Sequence, residues 1–204
     1  MKPKILILVL ICVLLGCTNE KQKVIDTYNK FNLANIERDG ERLFELSDSN
    51  THNYYKNFLT KILKLDSVGV SKLNLTEKLN LLSARAVIHD SILKRISPKD
   101  LLIKMLTEVS SMDSTQISSI RSLGITNIKI ENNIANCELT MDGKVVSPLV
   151  NLEFSKENGK WKFDLNSLAE FTEEQLNYIC EYHGFTHLDF IEWVFDASNI
   201  GEKR

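Results

Sequence analysis

The stretch NIKIENNIANCELTM, residues 127–141, alternates apolar and polar side chains on both sides of the pair Asn132-Asn133. Alternation with a period of two is typical of a β-strand that buries one face. Asparagine tolerates the left-handed backbone conformation that a tight turn requires. The stretch therefore predicts two antiparallel strands joined by a short turn. The residues predicted on the apolar faces of these strands are Ile128, Ile130, Ala135, Cys137, Leu139 and Met141.

The same pattern continues through residues 142–165. Asp142-Gly143 and Asn158-Gly159 are hairpin signals, and each lies between two alternating runs. Pro148 predicts an edge or a bulge, because proline cannot donate a hydrogen bond within a sheet. Four successive strands of this kind predict an antiparallel meander. The apolar positions expected to share one face are Val146, Val150, Leu152, Phe154, Trp161, Phe163 and Leu165.

The first half of the chain has helical periodicity instead. Val24, Tyr28 and Phe31 are spaced by four and three residues, which places them on one face of a helix. A second helix is predicted to begin at Asn50 or Thr51, and another to cover 76–94. The segment 66–75 is ambiguous between a short strand and a hairpin. Ser97-Pro98-Lys99-Asp100 combines a capping hydroxyl, a first-turn proline and an acid, and predicts one more helix start.

Two helices are predicted after the sheet. Thr172-Glu173-Glu174-Gln175 fits a capping box, the segment 186–189 has a similar outline, and Gly184 separates the two helices. A sheet with one apolar side must cover that side with other elements. The fold class is therefore predicted to be α+β, with N-terminal helices packed on a four-stranded antiparallel meander and two C-terminal helices.

Residues 1–16 have the pattern of a secretory signal peptide: two lysines, an apolar run over 5–15, and Gly16. The run is shorter than the roughly 20 residues that a membrane-spanning helix needs. The letters LLGC, which end at Cys17, resemble the lipobox of bacterial lipoproteins. The resemblance implies cleavage between Gly16 and Cys17, and acylation of Cys17 by fatty acids such as palmitate.

This interpretation divides the chain into a signal peptide (1–16), a lipidated N-terminus with a polar tether (17–22) and a single domain (23–204). Without the signal peptide, 23 Lys and Arg face 27 Asp and Glu, a formal charge of −4. A nucleic-acid-binding protein usually has a clustered basic face, so we expect no nucleic-acid partner. The expected location is the bacterial cell envelope, lipid-anchored to a membrane, which is the outer membrane if the cell has one.

Two stretches carry a resemblance to the NTF2-like superfamily. NLANIERDGERLFELS (32–47) is similar to the segment after the first helix of that superfamily, and LEFSKENGKWKFDL (152–165) is similar to its final hairpin. The resemblance covers about 23–166 and implies a cone built from helices and a curved sheet. It leaves about 167–204 as a C-terminal helical extension. Because the superfamily includes isomerases, dehydratases, transport factors and binding domains, this fold alone selects no function.

Enzymes of the NTF2-like superfamily place a catalytic carboxylate, histidine or tyrosine inside the cone. None of the predicted inward-facing sheet residues is an acid or a base, and general acid–base catalysis requires such a group within hydrogen-bonding reach. We therefore assign no catalytic residue and no cofactor. A ligand pocket is expected between the helices and the sheet, with the helical tyrosines as hydrogen-bond donors. Its expected lining residues are Tyr28, Tyr55, Trp161 and Phe163.

The C-terminal letters CEYHGFTH contain Cys180, His183 and His187, whose side chains can bind zinc. Two histidines four residues apart act as ligands when one helix face presents both. Gly184 lies between them and is predicted to end the helix, so no metal site is predicted.

Cys137 and Cys180 are the cysteines of the mature chain besides the lipidated one. They either form a disulfide or remain two buried free thiols, because spacing alone does not show whether their Cα atoms lie within about 7 Å. The last helix carries an apolar stripe that either packs on the domain's own core or docks a partner. The stripe consists of Phe190, Ile191, Val194 and Phe195, with Trp193 off its centre.

The functional expectation is a non-catalytic, membrane-anchored binding or interaction domain. Its candidate partners are the membrane through the lipid anchor, another protein or a second copy of the chain, and a small apolar ligand. The alternative is a small-molecule isomerase or dehydratase of the NTF2-like type, which would use a pocket between the helices and the sheet.

Overall fold

A computed structural model describes the backbone of residues 3–109, 114–148 and 150–202, and the side-chain environments of 19–108, 115–148 and 150–196. The predicted cleavage and lipidation sites, Gly16 and Cys17, lie outside the residues whose side chains are described. Of the described helices, none combines the length and the apolar character needed to span a bilayer.

All of the described strand pairs in the sheet are antiparallel, and at the edge formed by the last strand Ser47 forms one isolated parallel bridge with Phe163. The strands of the sheet lie in the order β1-β2-β4-β5, and β3 pairs only with the end of β2. The meander expected from the sequence is therefore present, with one two-residue strand added. The strands are β1 (Leu123–Glu131), β2 (Ile134–Met141), β3 (Lys144–Val145), β4 (Asn151–Glu157) and β5 (Lys160–Asp164).

Helices precede and follow the sheet, so the fold mixes helices with an antiparallel sheet. The helices are α1 (Pro3–Glu37), α2 (Gly40–Leu46), α3 (Ser49–Lys64), α4 (Ser67–Ser71), α5 (Leu75–Val87), α6 (Asp90–Leu93), α7 (Pro98–Lys104), α8 (Ser114–Ser122), α9 (Ala169–His183) and α10 (His187–Glu202). A π-helical turn covers Met105–Val109, and a 3-10 turn covers Leu165–Leu168.

The hairpin turns form where the sequence predicts them. Asn132, Asp142 and Asn158 have φ values of 56°, 50° and 49°, in the left-handed region that turn residues of this type tolerate. Asn127 also has a positive φ, and the β1–β2 register shifts between Thr126 and Lys129 around it. This bulge adds a residue that the simple alternation of the sequence does not reveal.

Two residues predicted on the apolar face of the sheet are exposed instead. Met141 is 43% exposed and Val146 is 42% exposed. Both lie beside β3, where the sheet ends after two residue pairs. The apolar alternation therefore extends further along the chain than the buried part of the sheet does.

Helix α1 packs across the sheet and forms the main core with it. Val24, Tyr28 and Phe31 are buried, as their spacing predicts. The ring of Phe31 meets the ring of Phe163 edge-on at 5.0 Å, and Tyr28 meets Phe154 and Phe163 edge-on at 6.5 and 6.3 Å. Such edge-to-face aromatic pairs are favourable beyond their buried area.

The other helices form two further apolar clusters. One lies among α3, α5 and α7 and includes Phe58, Leu81 and Leu101. The other joins α5 to α9 and α10, and its buried members are Leu75, Cys180, Phe190 and Ile191. The stripe of the last helix thus packs on the domain's own core, while Trp193 stays 53% exposed.

Several helix boundaries differ from those predicted. Asp48, rather than Asn50 or Thr51, caps α3, because its carboxylate accepts a hydrogen bond from the amide of Thr51 at 2.8 Å. The helix predicted over 76–94 is interrupted at Ile88-His89, which separates α5 from α6. The ambiguous segment 66–75 contains the short helix α4.

The capping signals gave mixed results. Ser97-Pro98 begins α7 as predicted, and Thr186 and Asp189 form a reciprocal capping pair at α10. The capping box predicted at 172–175 is wrong, because α9 already begins at Ala169. Its Glu173 binds the first turn of α5 instead.

The described part of the expected tether contacts the sheet. Residues 19–22 continue α1, and the carboxylate of Glu20 accepts hydrogen bonds from Lys156 Nζ at 2.6 Å and Trp161 Nε1 at 2.9 Å. Lys23 pairs with the same carboxylate at 2.7 Å. These two lysines, Lys156 first, lower the pKa of Glu20 to about 2. The part of α1 around Glu20 is therefore held against the β4–β5 hairpin.

Candidate functional site

A cavity of about 220 Å³ lies between α1 and the buried face of the sheet. Tyr28, Asn32 and Asn35 follow one another on α1 at intervals of four and three residues, so a single helix face presents all three to it. The rest of the lining is apolar and includes Leu106, Ile120, Leu123, Leu139, Leu152 and Phe163. The cavity is therefore an apolar space with a polar strip along one wall.

The phenol of Tyr28 is the titratable group in this wall. Burial raises its pKa, although a hydrogen bond with the side chain of Asn32 acts in the opposite direction. The phenol therefore stays protonated at neutral pH and serves as a hydrogen-bond donor. Together with the half-buried amides of Asn32 and Asn35, it could fix the orientation of a polar atom on a ligand.

The four residues expected to line a pocket lie in three different places. Tyr28 and Phe163 line the cavity. Trp161 lines a separate recess beside Lys23 and Thr27 of α1, and its indole donates a hydrogen bond to Glu20. Tyr55 belongs to the helical cluster, where its ring packs edge-on against Phe58 at 6.2 Å, and burial raises its pKa. The alternation of β5 places Trp161 and Phe163 on the same face of the sheet. Because they lie two residues apart along the strand, they contact different parts of α1.

Asn32 and Asn35 are the site residues that the sequence reasoning missed. Their spacing from Tyr28 was a readable signal, since i, i+4 and i+7 share a helix face. Polar side chains on an otherwise apolar helix face are uncommon, which makes these two positions candidates for contact with a ligand.

A second group of titratable side chains lies on the opposite face of the sheet. Asp48 is fully buried and accepts hydrogen bonds from the Thr51 amide and from Ser155 Oγ at 3.3 Å. Burial raises the pKa of Asp48, and the neighbouring carboxylate of Asp164 adds to the effect. Glu153, paired with Asp164 across β4 and β5, also has a raised pKa, first because of burial.

These carboxylates have structural partners. Asp48 caps α3, and Asp164 caps the 3-10 turn through the amide of Asn166 at 2.8 Å. Across the described part of the chain, no three His, Cys, Asp or Glu side chains are arranged to hold a metal ion. Asp48 and Asp164 therefore each have a local structural role as a cap.

The C-terminal motif is also dispersed. Cys180 is buried in the cluster that joins α5 to α9 and α10, and His187 Nε2 lies 3.0 Å from the side-chain oxygen of Asn177. Gly184 has a φ of 69° and ends α9 directly after His183, as its position in the sequence predicts. The two histidines therefore belong to different helices.

Cys137 and Cys180 are both free and buried. Cys137 lies in the core between α1 and the sheet, whereas Cys180 lies in the cluster that joins α5 to α9 and α10. Burial raises the pKa of the Cys137 thiol to about 12 and also raises that of Cys180. Neither thiol is a ready nucleophile in this state.

Comparison with known proteins gives no relative for this chain: no family model, no curated protein and no solved structure matches it. Its function has to be argued from the residues of its own cavities and surface.

Proposed function

We propose that the protein is a bacterial envelope lipoprotein, anchored through acylated Cys17, whose domain binds a small apolar ligand in the cavity beside Tyr28 without transforming it. We further propose that its helices and sheet form an NTF2-like cone. The cone is supported by the way α1 crosses the open sheet and leaves an apolar cavity beneath it. The resemblance of 32–47 and 152–165 to that superfamily points the same way.

The proposal of a binding role rests on the composition of the cavity wall. Among the described residues that line it, the polar groups are one protonated phenol and two amides, and no carboxylate, histidine, lysine or cysteine is present. Proton transfer to or from a substrate needs a group whose pKa lies near the working pH. A phenol whose pKa is raised by burial is poorly suited to that role, whereas it is well suited to donate a hydrogen bond.

The volume of the cavity limits the size of the ligand. An apolar cavity of roughly 150 Å³ in another protein holds benzene, whereas pockets for drug-sized ligands begin at roughly 300 Å³. At about 220 Å³, this cavity suits a molecule of about one ring or a short chain. Tyr28, Asn32 and Asn35 favour a ligand with one hydrogen-bonding group, such as an amide or a carbonyl.

The binding role is tested with benzamide, which combines one ring with one amide. We expect benzamide to raise the melting temperature of the purified protein, and Leu139→Trp, which fills the cavity, to remove that increase. Leu176→Trp is the matched control, because Leu176 is a partly buried leucine in the α5–α9–α10 cluster. Equal stabilisation of wild type and Leu139→Trp, or none in wild type across a panel of one-ring amides and ketones, contradicts binding in the cavity.

The anchor is tested separately in cells. Cys17→Ser is expected to abolish incorporation of labelled palmitate and to release the protein from the membrane fraction. Cys12→Ser is the control, because Cys12 lies within the apolar run and has no lipobox before it. Continued labelling of Cys17→Ser would show that the anchor proposal is wrong.

A further inference from the structure

A recess of about 370 Å³ lies between α1 and β5, next to the point where Glu20 of α1 binds the sheet. Its lining contains four lysines and a single carboxylate, with Trp161 and Thr27 between them. The charged residues are Lys23, Lys30, Lys160, Lys162 and Asp26. The chain as a whole has a net charge of −2, so this recess differs in sign from the protein that surrounds it.

The positive charge of the recess is only partly neutralised. Lys30 and Lys160 pair with no carboxylate among the described residues. Lys162 donates to the backbone carbonyl of Glu45, an uncharged group, so its own charge persists. Lys23 is paired with Glu20, but that carboxylate is shared with Lys156. An excess of positive charge therefore remains at this surface.

The proposed anchor lies next to the same surface. Cys17 precedes Glu20 by three residues, and three residues span at most about 11 Å in any conformation. Glu20 itself contacts Lys23 and Trp161, and both of these residues line the recess. A lipid chain on Cys17 therefore keeps the edge of the recess formed by Lys23 and Trp161 close to the bilayer surface.

We infer that this lysine recess is a membrane-docking surface that binds the headgroups of anionic phospholipids and so fixes the orientation of the anchored domain. The inference rests on the proposed anchor at Cys17. The positive charge of the recess suits the phosphate of an anionic lipid, and the acyl chains raise the local concentration of such headgroups beside it. A lysine near an anionic bilayer surface contributes a factor of about five in binding.

The test uses the mature lipidated protein, which begins at Cys17, reconstituted on vesicles of phosphatidylcholine, either alone or with phosphatidylglycerol. A membrane-impermeant amine reagent modifies exposed lysines, and mass spectrometry gives the rate at each position. We expect phosphatidylglycerol to slow modification of Lys30 and Lys160 about fivefold, and high salt to remove this protection. Lys94, an exposed residue beside α6, is the internal control and should react equally on both vesicles.

A charge-reversal pair tests the same surface. Lys160→Glu is expected to reduce the protection of Lys30 by phosphatidylglycerol, whereas Lys94→Glu should leave it unchanged. Equal modification rates on both vesicle types, with the protein still floating on each, overturn the docking surface and leave the anchor intact. Protection by inorganic phosphate on phosphatidylcholine vesicles overturns lipid docking in favour of a soluble anion. Failure to float on either vesicle overturns the anchor and the docking surface together.

Discussion

The carboxylate of Glu173, on α9, caps the first turn of α5 through Thr76. One oxygen accepts hydrogen bonds from the amide and the hydroxyl of Thr76 at 2.7 and 2.6 Å, and the other accepts from the amide of Leu75 at 2.9 Å. Burial opposes the ionisation of Glu173, but these hydrogen bonds outweigh it and hold its pKa below the usual value. The side chain of Glu173 thus joins α9 to the start of α5.

Replacement of this carboxylate should weaken the attachment of α9. Glu173→Gln keeps the shape of the side chain but loses its charge, and we expect the free energy of unfolding to fall by about 1–2 kcal/mol. Chemical denaturation measures the loss. Glu174→Gln, at the exposed neighbouring position, is the matched control and should change stability by less than about 0.5 kcal/mol. Equal losses in the two variants would show that the contact is energetically unimportant.

Glu20 should make stability depend on pH in the acid range. Its pKa is about 2 in the folded protein, against 4.5 ordinarily, because Lys156 and Lys23 favour its ionised form. A lowered folded-state pKa contributes stability that is complete above the ordinary pKa and is lost as the pH falls toward 2. Glu20→Gln should therefore lose less stability than wild type between about pH 5 and pH 2. Glu37→Gln, on an exposed part of α1, is the control, and parallel pH curves for Glu20→Gln and wild type would contradict the prediction.

Asp48 should have the opposite pH dependence. Its folded-state pKa is raised by burial, with Asp164 contributing, so its ionised form destabilises the native state as the pH rises above the ordinary value. Asp48→Asn keeps the α3 cap and removes the charge, so its stability relative to wild type should improve from about pH 4 to about pH 7. Asp48→Ala loses the cap and should cost about 1–2 kcal/mol. Urea denaturation across this range distinguishes the variants, and a relative stability of Asp48→Asn that falls with rising pH would disprove the assignment.

Gly40 should not tolerate a side chain. It is buried at the start of α2, and an added Cβ would overlap Cγ2 of Ile103 on α7. Although alanine is the better helix former, by up to about 1 kcal/mol, we expect Gly40→Ala to destabilise the protein by about 1–3 kcal/mol. A double-mutant cycle with Ile103→Ala isolates the overlap. If the cost of Gly40→Ala is the same with and without Ile103→Ala, close packing at this pair is not its cause.

Features set by neighbouring residues could be predicted from the sequence. The strands follow from alternation, their turns from Asn132-Asn133 and Asn158-Gly159, and the buried face of α1 from the spacing of Tyr28 and Phe31. Two of the four predicted pocket residues, Tyr28 and Phe163, meet at one cavity for the same reason. In each case, the periodicity of the helix or strand places the side chain on the face that packs against the core.

Contacts between distant parts of the chain could not be predicted in this way. Glu173 and Thr76 are 97 residues apart, and Thr51 and Asp164 are 113 apart. Thr172-Glu173-Glu174-Gln175 satisfies the local rule for a capping box, but the carboxylate finds stronger partners on another helix. Likewise, nothing local to Tyr55 indicates that it packs among helices rather than against the sheet.

The two buried thiols determine which environments the folded domain tolerates. Cys137 and Cys180 lie in separate clusters, and burial favours the protonated form of each. Exchange with other disulfides requires a thiolate that a reagent can reach. The native domain therefore shields both thiols from disulfide exchange, and it resists crosslinking through them in compartments where most exposed cysteines are oxidised.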